Sequence, residues 1–160
     1  MKKIIFLLSI LLISNNCLAA GSSNDGATEI DLYKAAKKLI LRAKKLEKKD
    51  KIDKALKLYS KAYKRLIKAY KKDKKNPDIL NYLGFTLRKK GDYEKGEEYY
   101  LLGLQIDPDH KGINEYLGEL YVVTDRIDLA KERLSVLKNC NCEEYKELKE
   151  IIEGKKQSKY

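Results

Sequence analysis

The sequence predicts an all-α protein built from short helical hairpins, and three observations carry that prediction. From Glu29 onward, apolar residues recur at i, i+3/i+4 and i+7, the period of an amphipathic helix. Turn-forming groups cut these stripes at short intervals: Lys49-Asp50-Lys51, Asn76-Pro77-Asp78, Lys90-Gly91-Asp92, Asp107-Pro108-Asp109, Thr124-Asp125-Arg126 and Asn139-Cys140-Asn141. No stretch alternates apolar and polar residues for long enough to make a strand. Composition agrees, since 37% of residues are charged and only two are proline.

The first stripe runs through Leu32, Ala35/Ala36, Leu39/Ile40, Ala43 and Leu46. The second runs through Ile52, Ala55/Leu56, Tyr59, Ala62/Tyr63, Leu66/Ile67 and Tyr70. Asn76-Pro77 then starts a helix, with Asn76 as N-cap and Pro77 in the first turn, where its missing N–H costs nothing. Further helices are predicted over 77–90, 93–106, 111–124, 127–138 and 143–153. Connections this short fold consecutive helices back antiparallel.

The N-terminus has a different character. Met1-Lys2-Lys3 is a positive start, Ile4 to Ile13 is apolar apart from Ser9, and Cys17-Leu18-Ala19 ends in small residues. That is the layout of a cleavable signal peptide over residues 1–19, cut after Ala19. The apolar run is about half the ~20 residues a membrane span needs, and Ser14-Asn15-Asn16 is wrong for lipidation at Cys17. Export to the periplasm or outside the cell follows as an expectation. Gly21 to Ala27 is small and polar, so 20–28 reads as a flexible leader. The mature remainder suits one domain.

Charge is unevenly spread. The whole chain carries +11, but Tyr33 to Lys75 holds nineteen Lys or Arg against four acids, a net of +15. Asn76 to Tyr160 holds fourteen against seventeen, a net of −3. A basic stretch such as 34–75 would attract anionic lipid, an acidic envelope polymer or an acidic partner, or it is simply a solvated face. Nucleic acid is not expected, because export would remove the chain from it and no DNA-binding motif is present.

Gly84 and Gly118 are 34 residues apart, and Asn81-Tyr82-Leu83-Gly84 resembles Asn114-Glu115-Tyr116-Leu117-Gly118. With this period the chain resembles the tetratricopeptide-repeat family. A unit at 77–110 places Leu80, Leu83, Gly84, Leu87, Gly96, Tyr100, Gly103 and Pro108 on that family's signature positions. Leu80 stands for the usual Trp, and Gly96 and Gly103 for the commoner Ala. A unit at 111–142 matches at Leu117, Gly118, Tyr121, Ala130 and Leu134. A first unit at 36–69, anchored on Ala55, is followed by seven residues that read as a helix extension to 75. The segment 143–153 would be a capping helix, and 154–160 a polar tail.

The resemblance implies a right-handed α-solenoid of about three helix-turn-helix units plus that cap, with a concave groove lined by the first helix of each unit. Such a groove holds a segment of a partner protein, so the resemblance implies a non-catalytic adaptor or scaffold. On that face lie Lys37, Lys44 and Lys48, then Asn81, Phe85, Arg88 and Lys89, then Glu115, Tyr116, Glu119 and Val122. Phe85 and Tyr116 would either anchor a partner or pack between neighbouring helices. The basic pairs with which some family members clamp a terminal carboxylate are not fully reproduced.

Cys140 and Cys142 are the cysteines left after processing. Across one intervening residue they would form a tight disulfide, pair between chains, or stay as thiols; a bonded pair tightening this turn is expected. His110 is the only histidine, and no nucleophile elbow, phosphate loop or metal-spaced His/Glu pair is present. No catalysis, cofactor or metal is expected.

Overall fold

The computed structural model describes residues 26–158. The predicted signal peptide, Cys17 and most of the leader lie outside the described residues, as do Lys159 and Tyr160. Seven helices are described: α1 (Glu29–Glu47), α2 (Ile52–Lys72), α3 (Pro77–Arg88), α4 (Tyr93–Ile106), α5 (Lys111–Val123), α6 (Ile127–Leu137) and α7 (Glu143–Ile152). There is no strand among the described residues. Consecutive helices pair as α1–α2, α3–α4 and α5–α6, and α7 covers the last pair. No helix among the described residues is long and apolar enough to cross a membrane.

Helix starts follow from capping chemistry. Thr28 and Asp31 form a reciprocal capping box at α1, which begins at Glu29 as the periodicity predicts. The Asn76 side chain accepts from the Ile79 N–H at 3.3 Å, with Pro77 in the first turn. Each such cap satisfies an amide that the helix itself leaves unpaired.

The turns repeat in register. Asp50, Gly91 and Asp125 all have positive φ, at 55°, 83° and 58°. At each one the next residue's N–H reaches back five residues: Lys51 to Leu46, Asp92 to Leu87, and Arg126 to Tyr121. This left-handed closure ends the first helix of each pair and aims the second back along it. Two of the three positions are aspartate, which tolerates that backbone better than most residues do.

The spacing from Asp50 to Gly91 exceeds that from Gly91 to Asp125 by seven residues. The excess lies in α2, which has 21 residues against 14 in α4. α2 stops at Lys72, short of the extension to 75 expected from the sequence. Asp73 turns extended and takes up the Lys75 N–H at 2.9 Å, so the chain leaves the helix in time to present Asn76 as the next cap.

Buried side chains follow the predicted stripes, except that Ile52, at the exposed start of α2, stays in solvent. Leu32, Ala36, Ile40 and Ala43 of α1 meet Ala55, Tyr59, Ala62, Leu66 and Ala69 of α2, with Ile79, Leu83 and Phe85 of α3 closing over them. Tyr100, Ile113, Leu117, Leu120, Tyr121 and Ala130 form a second cluster, and Leu148 and Ile151 of α7 are buried as its cover. Each fully buried large apolar side chain contributes about 1.5–3 kcal/mol.

Close approach of α3 and α4 depends on Gly84. A Cβ there would lie 2.6 Å from Tyr100 Cε1 and 2.8 Å from the Gly96 carbonyl oxygen. Gly84→Ala therefore pits about 1 kcal/mol of helix propensity against a clash with backbone. We expect a net loss of about 1–3 kcal/mol in chemical denaturation. A gain in stability would show that α3 and α4 separate freely.

Candidate functional site

The first helices of the three pairs, α1, α3 and α5, lie side by side and line one face. That face is concave enough for Lys44 of α1 to reach across α3, where its Nζ donates to Tyr116 Oη of α5 at 3.3 Å. On the way its ammonium passes 4.6 Å from the Phe85 ring centroid. Phe85 in turn packs against Tyr59 at 5.8 Å and Tyr116 at 5.1 Å. A second ammonium, Lys37, lies 5.3 Å and 5.6 Å from the Tyr33 and Tyr82 ring centroids. Among the lysines of 34–75, only Lys37 and Lys44 are drawn partly out of solvent. The remainder coat the exposed faces of α1, α2 and the turns.

Two buried ion pairs tie this wall together. Arg88, with 1% of its surface exposed, donates through Nη1 to the Tyr116 carbonyl and through Nη2 to Glu119 Oε2 at 3.2 Å. Lys89 Nζ meets Glu47 Oε1 at 2.8 Å, and the Tyr59 hydroxyl donates to the other Glu47 oxygen at 2.8 Å. Burial pulls the Lys89 ammonium below its ordinary value, while Glu47 opposes the shift.

The structure places the expected groove residues at different depths. Phe85, Asn81, Arg88 and Glu119 are buried, at 0%, 5%, 1% and 4% exposure, and form the floor of the groove. Phe85 and Arg88 present almost no surface to a partner. The reason is helix spacing: side chains this long, on adjacent helices, meet one another before they meet solvent. Lys44, Lys89, Glu115 and Tyr116 are partly buried, and Lys48 is exposed at the end of α1.

The acidic end lies between α3, α5 and α7. An open cleft of about 460 Å³ there is lined by Asp78, Asn81, Tyr82, His110, Glu115 and Glu144, among others. His110 Nδ1 accepts from the Ile113 N–H at 3.1 Å and so caps α5. That leaves Nε2 to donate toward Asp78 at 3.4 Å. Glu115 is pushed up from 4.5 to about 8, first by burial and then by the negative charges of Glu119, Glu144 and Glu147, with Lys44 opposing. The Asn81 Oδ1 has no hydrogen-bond partner among the described residues.

Sequence reasoning missed Tyr33, Asp78, Tyr82, Glu144 and Glu147 as groove residues. Tyr82 was within reach, because it stands one repeat before Tyr116. The α7 glutamates were not, since only the packing of the cap against α5 brings them here. The Cys140 and Cys142 sulfurs are bonded to each other across the α6–α7 turn. Among the described residues no three His, Cys, Asp or Glu side chains converge to hold a metal ion.

Removing one partner of a buried ion pair strands the other. Arg88→Ala should therefore cost about 3–5 kcal/mol of unfolding free energy; a loss within 1 kcal/mol, on the order of a surface pair, would show the pair is solvated. Glu115 supplies a pH test. Its folded-state carboxyl holds a proton more tightly than the unfolded chain does, so its contribution is favourable below about 4.5 and is lost as pH rises to about 8. Melting temperatures of wild type and Glu115→Gln should diverge across that window, the variant being the more stable at its upper end. Parallel profiles would overturn the assignment.

Residues 77–110, comprising α3, α4 and the turn into α5, match the tetratricopeptide repeat model. No curated protein sequence matches the chain significantly. Among solved structures, the type III secretion chaperone SycD of Yersinia enterocolitica, in complex with a peptide of the translocator YopD, is similar with a TM-score of 0.54 at 18% identity, over 76% of this chain and 88% of that one. The second TPR domain of human RPAP3, in complex with an HSP70 peptide, gives 0.52 at 15%, over 78% and 98%. A tetratricopeptide repeat protein from Parabacteroides merdae gives 0.52 at 16%, over 76% and 61%. The chain thus carries a tetratricopeptide repeat at 77–110, within a stack of helical hairpins that has the fold of tetratricopeptide-repeat domains.

Proposed function

We propose that this chain is a non-catalytic protein-interaction module that holds an extended segment of a partner protein along the face lined by α1, α3 and α5. The observation that carries this reading is the composition of that face. It combines half-buried ammonium groups on aromatic rings with an open, carboxylate-lined cleft that Tyr82 and Tyr116, two of the aromatic residues those ammoniums meet, help to line. Aromatic and charged groups held rigid by their neighbours bind a peptide with little ordering cost. The solved relatives with this fold include a chaperone with a translocator peptide and a domain with an HSP70 peptide, which supports a peptide as the ligand class. With residues 1–19 as a cleaved signal, the module is an adaptor of the periplasm or the cell exterior.

Rim charges offer a test that leaves the floor intact. Lys37→Glu combined with Asp78→Lys reverses the sign of a basic and an acidic rim group beside Tyr82 without touching Arg88 or Phe85. Affinity capture from envelope extract, run at low and high salt, should retain a discrete protein on wild type and lose it on the double variant at unchanged melting temperature. Equal capture by both would overturn the groove. Retention only of anionic lipid or polymer, lost as salt rises, would transfer the function to the lysines of 34–75. N-terminal sequencing of the exported product should begin at Ala20; an intact Met1 would overturn export by cleavage.

A further inference from the structure

The chain after α7 folds back onto the acidic end of the groove. Gly154, with φ at +68°, reverses its direction. Lys156 then pairs with Glu147 of α7, and the Ser158 hydroxyl donates to Glu119 Oε2 of α5 at 3.1 Å. A lysine-bearing, non-helical segment therefore already rests on this wall.

The surface beneath it is built for a cation. Glu115 and Glu119 stand one turn apart on α5, and Glu144 and Glu147 one turn apart on α7. Glu119 is paired with Arg88 and Glu147 with Lys156, while Asp78, Asp107, Asp109, Glu115 and Glu144 line the adjoining cleft against one lysine, Lys111, and His110. Arg88 and residues 156–158 occupy the Glu119 and Glu147 side. At the other end the cleft of about 460 Å³ remains open between Glu115, Glu144 and Asp78. Asn81 lines it, is 5% exposed, and its Oδ1 has no hydrogen-bond partner among the described residues. An unpartnered buried acceptor costs about 1–3 kcal/mol, which a ligand donor would recover once the Asn81 side chain turns this sealed oxygen toward the cleft. A peptide N–H or a lysine ammonium is such a donor, and a cation here meets the Asp78 and Glu144 carboxylates that line the cleft. An acidic segment would be repelled by them.

We propose that the acidic end of the groove, from Asp78 and Asn81 to Glu119 and Glu147, is the seat of a lysine-bearing extended segment of a partner protein, and that residues 154–158 of this chain cover part of that seat until the partner displaces them. The proposal rests on the groove reading above and deepens it by naming the ligand's charge. Tethering makes even a weak tail contact an effective competitor, because the local concentration of a short linked segment is in the millimolar range.

The test uses the full chain and two labelled peptides: one with the sequence Gly-Lys-Lys-Gln-Ser-Lys-Tyr, and a counterpart in which glutamate replaces the three lysines. Lys155→Glu with Lys156→Glu repels the tail from the wall, and both sites lie outside the helices. By fluorescence anisotropy this double variant should bind the lysine peptide about tenfold more tightly than wild type does. The glutamate peptide should not bind. Adding Glu115→Gln and Glu144→Gln should cost the double variant about tenfold or more in affinity, at a melting temperature no lower than before. No binding of the lysine peptide, equal binding of both peptides, or no difference from wild type would each overturn the proposal. The groove reading stands or falls separately: a protein captured through Lys37 and Asp78 that presents no lysines would keep that reading and remove this one.

Discussion

The guanidinium of Arg88 sits where α3 meets α5, and the concave face depends on it. It cannot be hydrated there, so it must find acceptors within the protein, and the Tyr116 carbonyl and Glu119 carboxylate supply them. Meeting both fixes the offset between two helices that lie in different repeats. Fixing that offset also sets Tyr116 against Phe85, and Lys44 of α1 then reaches Tyr116 across Phe85. A hydrophobic contact alone would tolerate sliding; a buried charge held by two oxygens on one helix does not. The Glu47–Lys89 pair does the same between α1 and α3.

Rigidity has a consequence for function. A groove whose floor is a network of buried charges and stacked rings keeps its shape without a ligand, so a partner need not order it on binding. The specificity of such a groove then comes from the groups at its rim and from the field they share. That field changes sign along the face. Lys37 and Lys44 make the α1 side positive, and Asp78 of α3 with Glu144 of α7 bring negative charge to the cleft beyond them. The polarity runs in the same sense as the charge asymmetry along the chain, because consecutive hairpins stack in order and each contributes its own residues to one wall.

Much of the architecture was legible in advance, for local reasons. Helix ends are decided by residues adjacent in sequence: Asn76 and Pro77 at one start, and Asp50, Gly91 and Asp125 at three turns. The repeat spacing placed Ala55, Gly96 and Ala130 at equivalent buried sites, and the structure buries all three. The site was only partly legible. Pattern identifies the helix face that carries Phe85 and Arg88, but not how near the next helix stands, and that distance decides whether such a side chain is floor or rim. The extension of α2 failed similarly, since helical pattern continues through Lys75 while the Asp73 side chain accepts the Lys75 N–H beyond the end of α2 and the Asn76 side chain accepts the Ile79 N–H to start α3.

By itself, then, the sequence determined the helices, their turns, the repeat and the sign of charge in each half, because period, capping and composition act over a few residues. Only the tertiary structure decided which groove residues are sealed and which are open, that Glu144 and Glu147 of the cap join Glu115 and Glu119, and that the tail returns to lie on them. Those relations join residues far apart along the chain, and they arise from the packing of one helix on another, which no local pattern encodes.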